Sequence, residues 1–133
     1  MQISRGRLDG VPSEARGNGG TFTGPVWADP VIAASPDLTV NAVFFEPRSR
    51  THWHKHSGGQ VLVVSHGSGL IQARDGTGGR LTPGDVVHIP AGEEHWHGGS
   101  DDAYVLHLAI SIGPTEWLEP VSDEDYARAV ESL

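Results

Sequence analysis

Short apolar segments and turn sequences alternate along the middle of this chain. The apolar segments occupy residues 26–32, 38–45, 60–65, 69–73, 86–89 and 104–112. The intervening stretches carry Gly, Pro and Asp, as in Ser35-Pro-Asp37 and Pro83-Gly-Asp85, which are residues that close tight turns. Segments of strand length with no helical segment between them predict an antiparallel sandwich or barrel. The predicted fold class is therefore all-β.

The two ends of the chain depart from this pattern. Residues 1–20 combine glycines and mixed charges with little periodicity, so we expect a loosely structured arm, which an edge strand could tie down. Residues 21–113 are expected to form the barrel and residues 114–133 a tail, within a single domain. In the tail, Ser122 can cap a short helix over Asp123–Val130, and the acidic residues lie at its favourable N-terminal end.

Composition and charge narrow the range of functions. Acidic residues outnumber basic ones by 17 to 9, and the formal net charge is −8. The basic residues are scattered, so no nucleic-acid partner is expected. We also expect no membrane association and a cytoplasmic location, because the sequence shows no spanning apolar run and no export leader. The chain has no cysteine, which leaves nitrogen and oxygen atoms as metal donors.

Two clusters of histidine stand out against this background. His52, His54 and His56 alternate in the first cluster, and His95 and His97 alternate in the second. Because every second residue of a strand points to the same face, imidazoles from both clusters can enter one cavity. An amide side chain four residues beyond the first cluster adds an oxygen donor. The sequence thus predicts a metal site built from imidazoles and an amide.

The two clusters resemble the paired motifs of the cupin superfamily, which are small double-stranded β-helix or jelly-roll barrels. The matching residues are His54, His56, Gln60, Gly67, Gly84, Pro90, Gly92 and His95. The resemblance implies a cupin jelly-roll barrel with a short C-terminal helix. It also implies one divalent transition metal, held by His54, His56, Gln60 and His95. Three nitrogens and an oxygen suit manganese, iron, nickel, copper or zinc.

Three positions depart from the usual cupin pattern. Arg48 stands where the first motif usually opens with glycine, and Gly99 stands where the second usually ends in asparagine. The third departure is chemical, because Gln60 replaces the usual glutamate ligand with a neutral amide. Such a ligand set leaves the +2 charge of the metal uncompensated, so the site should attract anions such as cyanide or an alkoxide.

A closer likeness lies with the small bacterial cupins that act as R-selective hydroxynitrile lyases and use manganese. The similar stretches lie within residues 22–24, 53–60, 92–98, 107–110 and 117–126. This resemblance implies a manganese-dependent lyase that cleaves or forms aromatic cyanohydrins. Two alternatives stay open: a metal-dependent cupin dioxygenase acting on a chelating small molecule, and a non-enzymatic cupin that binds a small ligand.

The other histidines divide into candidates for catalysis and candidates for structure. His97 shares the face of His95, so its free imidazole beside the metal is expected to act as general base or acid. His107 lies on an otherwise apolar strand face, and the resemblance assigns it to the same cavity as a second catalytic candidate. Of the remaining three, His52 is expected at the rim of the cavity, His66 in a turn, and His88 without an inward partner.

Strand alternation also sorts the side chains around the site. The shape of the pocket should depend on four inward residues: Asn41, Val43, Phe45 and Ser111. Trp53 and Trp96 have the opposite parity to the ligands, so we expect them to be packing or interface residues. Exposed aromatic faces on a small barrel would suit a homodimer or homotetramer.

Overall fold

The computed structural model describes residues 1–6, 12–16 and 20–133 of the chain. Within these ranges no helix is long and apolar enough to cross a membrane. The elements are β1 Glu14–Ala15, β2 Phe22–Thr23, β3 Val26–Ser35, β4 Leu38–Phe45, β5 Arg50–Thr51, β6 His54–His56, β7 Gln60–Gly67, β8 Gly69–Ala73, β9 Gly78–Leu81, β10 Val86–Ile89, β11 His95–Gly99, β12 Val105–Ile112, β13 Thr115–Trp117 and α1 Asp123–Glu131.

The strands form two curled sheets. The six-stranded sheet has the order β1-β3-β4-β12-β7-β10. The second sheet has the order β13-β6-β11-β5-β2, with β8 paired to β11 and β9 paired to β8. The strand pairs are antiparallel. The all-β jelly-roll barrel with a short C-terminal helix is therefore confirmed. The helix begins where the sequence predicts, since the Ser122 side chain accepts a hydrogen bond from the Asp125 backbone N–H at 3.0 Å.

Short strands appear where the sequence suggested turns or tail. The strand β9 begins with Gly78 and Gly79 and pairs with β8, in a stretch that lies between the predicted apolar segments. The strand β13 pairs with β6, so the barrel sheet continues past residue 113 into the segment assigned to the tail. In the arm, β1 pairs with β3 at the edge of the six-stranded sheet. Residues 7–11 and 17–19 of the arm lie outside the described residues.

Two hydrophobic clusters hold the fold together. The first fills the barrel interior and includes Phe45, Leu62, Val64 and Val105. The second lies between the barrel and α1, where Trp53 and Trp96 pack in one cluster with Tyr126. Trp53 is 6% exposed and Trp96 is 1% exposed, so both are packing residues. The exposed aromatic faces that suggested an oligomer interface are absent at these two positions.

The backbone at Arg48 explains one departure from the cupin pattern. Its φ angle is +69°, in the left-handed region that L side chains avoid at a cost of roughly 1–2 kcal/mol. Its backbone N–H donates to the Ser100 carbonyl at 2.9 Å, just before the chain enters β5. Glycine takes this conformation without steric cost, which accounts for its usual presence at the start of the first motif.

Candidate metal centre

A cavity of about 290 Å³ opens between the two sheets. Its walls include three aromatic side chains, Phe22, Phe45 and Trp117, together with several imidazoles and the amide of Gln60. Among the described residues that line it there is no Asp or Glu. A cation bound here would therefore keep its charge and attract an anionic or polarisable ligand.

The strand pairing brings the two histidine clusters together. His54 begins β6 and His95 begins β11, and the two are direct partners in the antiparallel register. Their ring centroids are 4.3 Å apart. Gln60 enters as the first residue of β7, after Gly59, whose φ is +90°. A Cβ at Gly59 would lie 2.7 Å from the Ile89 carbonyl oxygen, so a side chain there would disturb the turn that presents the amide.

Backbone carbonyls fix the orientation of two of these imidazoles. Nδ1 of His54 lies 2.9 Å from the His52 carbonyl oxygen, and Nδ1 of His95 lies 2.9 Å from the Glu93 carbonyl oxygen. Because a carbonyl oxygen can only accept, each Nδ1 carries the proton and donates it. Each Nε2 is then a lone pair that can bind a metal, in the arrangement common for metal-ligating histidines.

The contact between His95 and Gln60 fits a cation. Nε2 of His95 lies 3.0 Å from Oε1 of Gln60, while Nε2 of Gln60 donates to Oγ of Ser111 at 3.1 Å. With Nδ1 of His95 protonated, the two facing atoms are both acceptors, and they repel each other unless an electrophile lies close to both. A divalent metal would supply that electrophile, so the donor set fits the implied ion.

His56 supplies a further nitrogen at the edge of this group. Its Nδ1 is 3.0 Å from Oγ1 of Thr115, and its Nε2 is buried without a hydrogen-bond partner among the described residues. Its ring centroid lies 5.1 Å from that of His54 and 5.8 Å from that of His95. An orphaned buried imidazole nitrogen is costly, and a metal ligand bond would remove that cost.

His97 lies as close to the candidate ligands as they lie to one another. The ring nitrogens that His54, His95 and His97 offer are all within 4.8 Å of one another. Nδ1 of His97 faces Nε2 of His107 at 3.1 Å, so these two imidazoles share one hydrogen bond. The outer nitrogens of the pair, Nε2 of His97 and Nδ1 of His107, are buried and unpartnered in the described structure.

His107 lies one layer further from the cavity than His97. The residues that line the cavity include His97 but not His107, whose ring packs 5.5 Å from the ring of Phe45. A β-bulge lies beside it, because Leu106 pairs with His66 while His107 pairs with Val64. His107 can therefore act on a cavity ligand only through His97, which makes it a positioning residue.

Burial keeps these imidazoles neutral. It lowers the pKa of His56 and of His107 from 6.5 to about 4, and it lowers the pKa values of His54 and His97 well below 6.5. Neighbouring imidazoles lower the pKa values of His54, His56 and His97 further. Burial also lowers the pKa of His95. At pH 7 protons thus compete little with a metal for these nitrogens.

The pocket side chains expected from alternation are in place, together with others that the sequence did not suggest. The cavity wall includes Asn41, Val43, Phe45 and Ser111. It also includes Thr115 and Trp117 of β13 and Phe22 of β2. The Trp117 ring lies 4.7 Å from the His54 ring. Strands of two or three residues carry too little periodicity to be found from sequence, although Thr115 and Trp117 do share one parity.

The three remaining histidines lie away from the cavity. His52 is buried rather than at an open rim, and its carbonyl orients His54. His66 is exposed near the end of β7, rather than in a turn. His88 is exposed on β10, in agreement with the expectation that it has no inward partner.

Comparisons with known proteins give consistent results. Residues 42–111 match the family described as the cupin domain. The (R)-mandelonitrile lyase of Granulicella tundricola is 43% identical over 96% of this chain and 100% of its own length. A crystal structure of a cupin-like protein from Thermotoga maritima superposes with a TM-score of 0.85 at 39% identity, over 95% of this chain and 100% of that one.

A second group of relatives is more distant. The acireductone dioxygenase of Bacillus subtilis is 29% identical over 74% of this chain. The match spans 56% of that enzyme, so this chain corresponds to about half of its length.

Proposed function

The chain belongs to the cupin family, and we propose that it is a metal-dependent lyase of the hydroxynitrile lyase type, which cleaves or forms aromatic cyanohydrins. One observation carries the proposal: Nε2 of His97 is buried and unpartnered, beside a candidate metal centre in a cavity lined by no carboxylate among the described residues. The likeness to the (R)-mandelonitrile lyase over almost the whole chain supports the same activity.

Four side chains would hold the metal, which we propose to be manganese on the basis of the family resemblance. Lone pairs on His54, His56 and His95 and the amide oxygen of Gln60 complete a set of three nitrogens and one oxygen. A bound divalent metal would act as a Lewis acid that stabilises negative charge on the departing cyanide or on the developing oxyanion. The neutral amide of Gln60 preserves that acidity, because it offsets none of the metal's charge.

His97 would move the proton. In the tautomer that donates Nδ1–H to His107, Nε2 of His97 is a free lone pair that can accept the hydroxyl proton of a cyanohydrin as the aldehyde forms. The same nitrogen can then return that proton to cyanide. His107 would hold the imidazole of His97 in the correct orientation and tautomer. Because burial keeps both rings neutral at pH 7, the base is available without prior deprotonation.

The aromatic side chains would bind the organic part of the substrate. Phe22, Phe45 and Trp117 line the cavity, and the rings of Phe45 and Trp117 lie beside imidazoles, so a substrate phenyl ring can stack or pack edge-on while its hydroxyl faces His97. A volume of about 290 Å³ lies at the small end of the range for ligand sites. It suits a substrate with one aromatic ring.

The test compares the metal content and the cyanide release of two variants. His97→Ala is expected to keep its metal but to release cyanide from mandelonitrile about 10²–10⁴-fold more slowly, because it loses the general base. The exposed His66 provides the matched control, and His66→Ala should behave as wild type. If metal-loaded His97→Ala released cyanide at the normal rate, the role assigned to His97 would be wrong. If it lost its metal, His97 would be a ligand instead.

Metal analysis of untagged protein tests the cofactor. We expect one divalent ion per chain, with the highest lyase activity in the manganese-loaded form. If the unmodified chain bound no divalent ion, the proposed metal-dependent activity would be wrong.

A cytoplasmic location stays a prediction.

The second candidate function is oxidative, and the acireductone dioxygenases among the relatives favour it. A metal held by four protein donors retains open positions for dioxygen and a chelating substrate. Oxygen consumption with an enediol or diketone, together with no cyanide release from mandelonitrile, would support this candidate over the lyase. Binding of small ligands without turnover of either substrate class would indicate a non-enzymatic cupin.

A further inference from the structure

One charged side chain reaches the cavity from the N-terminal arm. Among the described residues that line the cavity, Arg16 is the one that carries a charge at pH 7, since burial keeps the imidazoles neutral. Arg16 is also exposed, so it lies where the cavity opens to solvent. The proposed reaction uses the imidazoles, the amide and the aromatic rings, and it gives Arg16 no role.

Strand pairing explains why the side chain of Arg16 points inward. Glu14 of β1 pairs with Ala28 of β3, which belongs to the barrel core. The pairing continues beyond β1, because the Arg16 backbone N–H donates to the carbonyl of Val26 at 2.8 Å. Val26 also belongs to the barrel core. Since residues directly opposite each other in an antiparallel pair point to the same face, Arg16 shares the inward face.

The same register connects Arg16 with the centre of the site. Val26 pairs on its other side with Phe45 of β4, whose ring centroid lies 5.7 Å from that of His97. The backbones of Arg16 and Phe45 are thus two strand spacings apart, or about 10 Å, and the long Arg side chain can cross part of this gap. A substrate ring bound against Phe45 can then place its reacting carbon toward His97 and a substituent toward Arg16.

The ion pair that Arg16 makes is weak enough to be exchanged. Nη2 of Arg16 lies 3.7 Å from Oε2 of Glu14, and the two side chains are 41% and 69% exposed. Such pairs contribute little, because solvent screens the charges and two long side chains must be ordered. Glu14 does not line the cavity. An anionic group inside the cavity can therefore compete with Glu14 for the guanidinium.

The charge and shape of the guanidinium favour a carboxylate. A planar guanidinium matches a carboxylate through two parallel N–H···O hydrogen bonds. One cation balances the single charge of a carboxylate, whereas it would leave a phosphate dianion partly uncompensated. The formal net charge of the chain is −8, so the protein as a whole repels anionic substrates. A cation at the opening of the cavity offsets that repulsion where the substrate enters.

We propose that Arg16 determines specificity for substrates that carry a carboxylate on the aromatic ring, at the end remote from the reacting carbon. The inference rests on the proposed lyase function for the reaction, but recognition of the carboxylate can be measured without turnover. The preferred substrate is then a carboxylated aromatic cyanohydrin or, in the synthetic direction, the corresponding aldehyde. Neutral mandelonitrile reacts by the same route but binds more weakly.

Isothermal titration of the manganese-loaded full chain tests this recognition. The probes are 4-(hydroxymethyl)benzoate and its methyl ester, which differ in charge at the end remote from the hydroxyl. The wild type should bind the carboxylate about 10-fold more tightly than the ester, and Arg16→Gln should abolish this preference. Arg16→Lys should retain part of it, because the charge remains while the paired hydrogen bonds are lost. Added salt should reduce the preference, since the pair is exposed.

Two further variants control for charge in general. Arg128 is an exposed arginine that pairs with Asp125 of its own element at 3.3 Å, and it does not line the cavity. Arg128→Gln is therefore the matched control and should bind both probes as the wild type does. Glu14→Gln removes the competing carboxylate, so it should tighten binding of the carboxylate probe about two- to five-fold and leave the ester unchanged.

Kinetics with 4-carboxymandelonitrile and its methyl ester connect recognition to turnover. In the wild type the carboxylate should have a KM about 10-fold lower at similar kcat, and Arg16→Gln should make the two KM values equal. Equal binding of both probes by the wild type would overturn the proposal. A preference that survives Arg16→Gln would also overturn it, since the carboxylate would then bind the metal. An Arg16-dependent binding preference without cyanide release from either nitrile would support the role of Arg16 and contradict the lyase function alone.

Discussion

Two pairs of histidines at the candidate site differ in the groups that orient their rings. His54 and His95 donate through Nδ1 to backbone carbonyls, so the strand backbone fixes their tautomers. His97 and His107 bond to each other, so each ring sets the tautomer of the other, and either ring can be the donor provided that the outer nitrogen of the accepting ring carries its proton. The first pair presents lone pairs of permanent direction, as a metal site requires. The second pair can exchange a proton without moving an atom of the backbone.

The hydrogen-bond partner of each histidine therefore determines its role, although the side chains are chemically identical. A backbone carbonyl cannot give up its acceptor role, whereas an imidazole can change from acceptor to donor. The difference can be tested by removing one member or one partner of each pair.

The largest effect is expected from His95→Ala, since His95 is a proposed ligand. Loss of one nitrogen donor should weaken metal binding at least about 100-fold, which exceeds the effect of removing an outer partner of a ligand. Metal content after dialysis against a mild chelator measures the change. Under the same conditions His107→Ala should retain its metal, and equal losses in the two variants would remove the distinction between the pairs.

A smaller effect is expected from His107→Gln, which keeps a polar side chain but removes the imidazole. His97 then loses the partner that selects its tautomer, so kcat should fall about 10–100-fold while KM stays close to wild type. Steady-state kinetics of mandelonitrile cleavage, with metal content confirmed, gives both constants. An increase in KM alone would mean that His107 shapes the pocket rather than the base.

Acid should destabilise the metal-free protein through the same pair. The pKa of His107 falls from 6.5 to about 4 on burial, so between these values the unfolded chain binds a proton that the folded chain does not. The free energy of unfolding is therefore highest above pH 6.5 and decreases as the pH falls toward 4. His107 alone should lower it by up to about 2 kcal/mol at pH 5. Urea unfolding at pH 7 and pH 5 measures the loss. It should be smaller in His107→Gln, and an identical loss would contradict the assignment.

The smallest effect is expected at the hydroxyl that contacts His56. Thr115→Val is nearly isosteric and removes the contact between Oγ1 and Nδ1 of His56. If His56 is a ligand oriented by this contact, metal affinity should fall about 10-fold. Isothermal titration with manganese gives the affinity. Thr82→Val, at a threonine in a turn away from the cavity, is the control, and an unchanged affinity in both variants would exclude an orienting role for Thr115.

Much of this arrangement is predictable from the sequence, because long strands carry a readable period. The strands β4, β7 and β12 and the His54–His56 alternation could be identified in advance, and so could the cap at Ser122. The resemblance of the two motifs to the paired cupin motifs then predicted that His95 and His54 lie at the same site. Three-residue strands have no period to read, which is why Thr115 and Trp117 were not identified as cavity residues.

The depth of His107 could not be predicted for a different reason. Parity assigned it to the inward face correctly, but a strand pattern does not say whether an inward side chain reaches a cavity or lies behind another ring. The bulge between β7 and β12 shifts the pairing at this residue, and such irregularities leave no mark in apolar sequence. The outward apolar side chains of β12 could not be told from the inward ones either, because this strand is apolar at most positions of both parities.

The strand β12 serves the two surfaces of the molecule in alternation. Its odd-numbered residues face the barrel interior and its even-numbered residues face outward, only one peptide unit apart. In a saturation mutagenesis library, tolerance along residues 105–112 should therefore oscillate with a period of two, with the larger losses of turnover at the odd-numbered, inward positions. Laboratory evolution of new substrate preferences could sample the odd positions of this strand without changing its outward side chains.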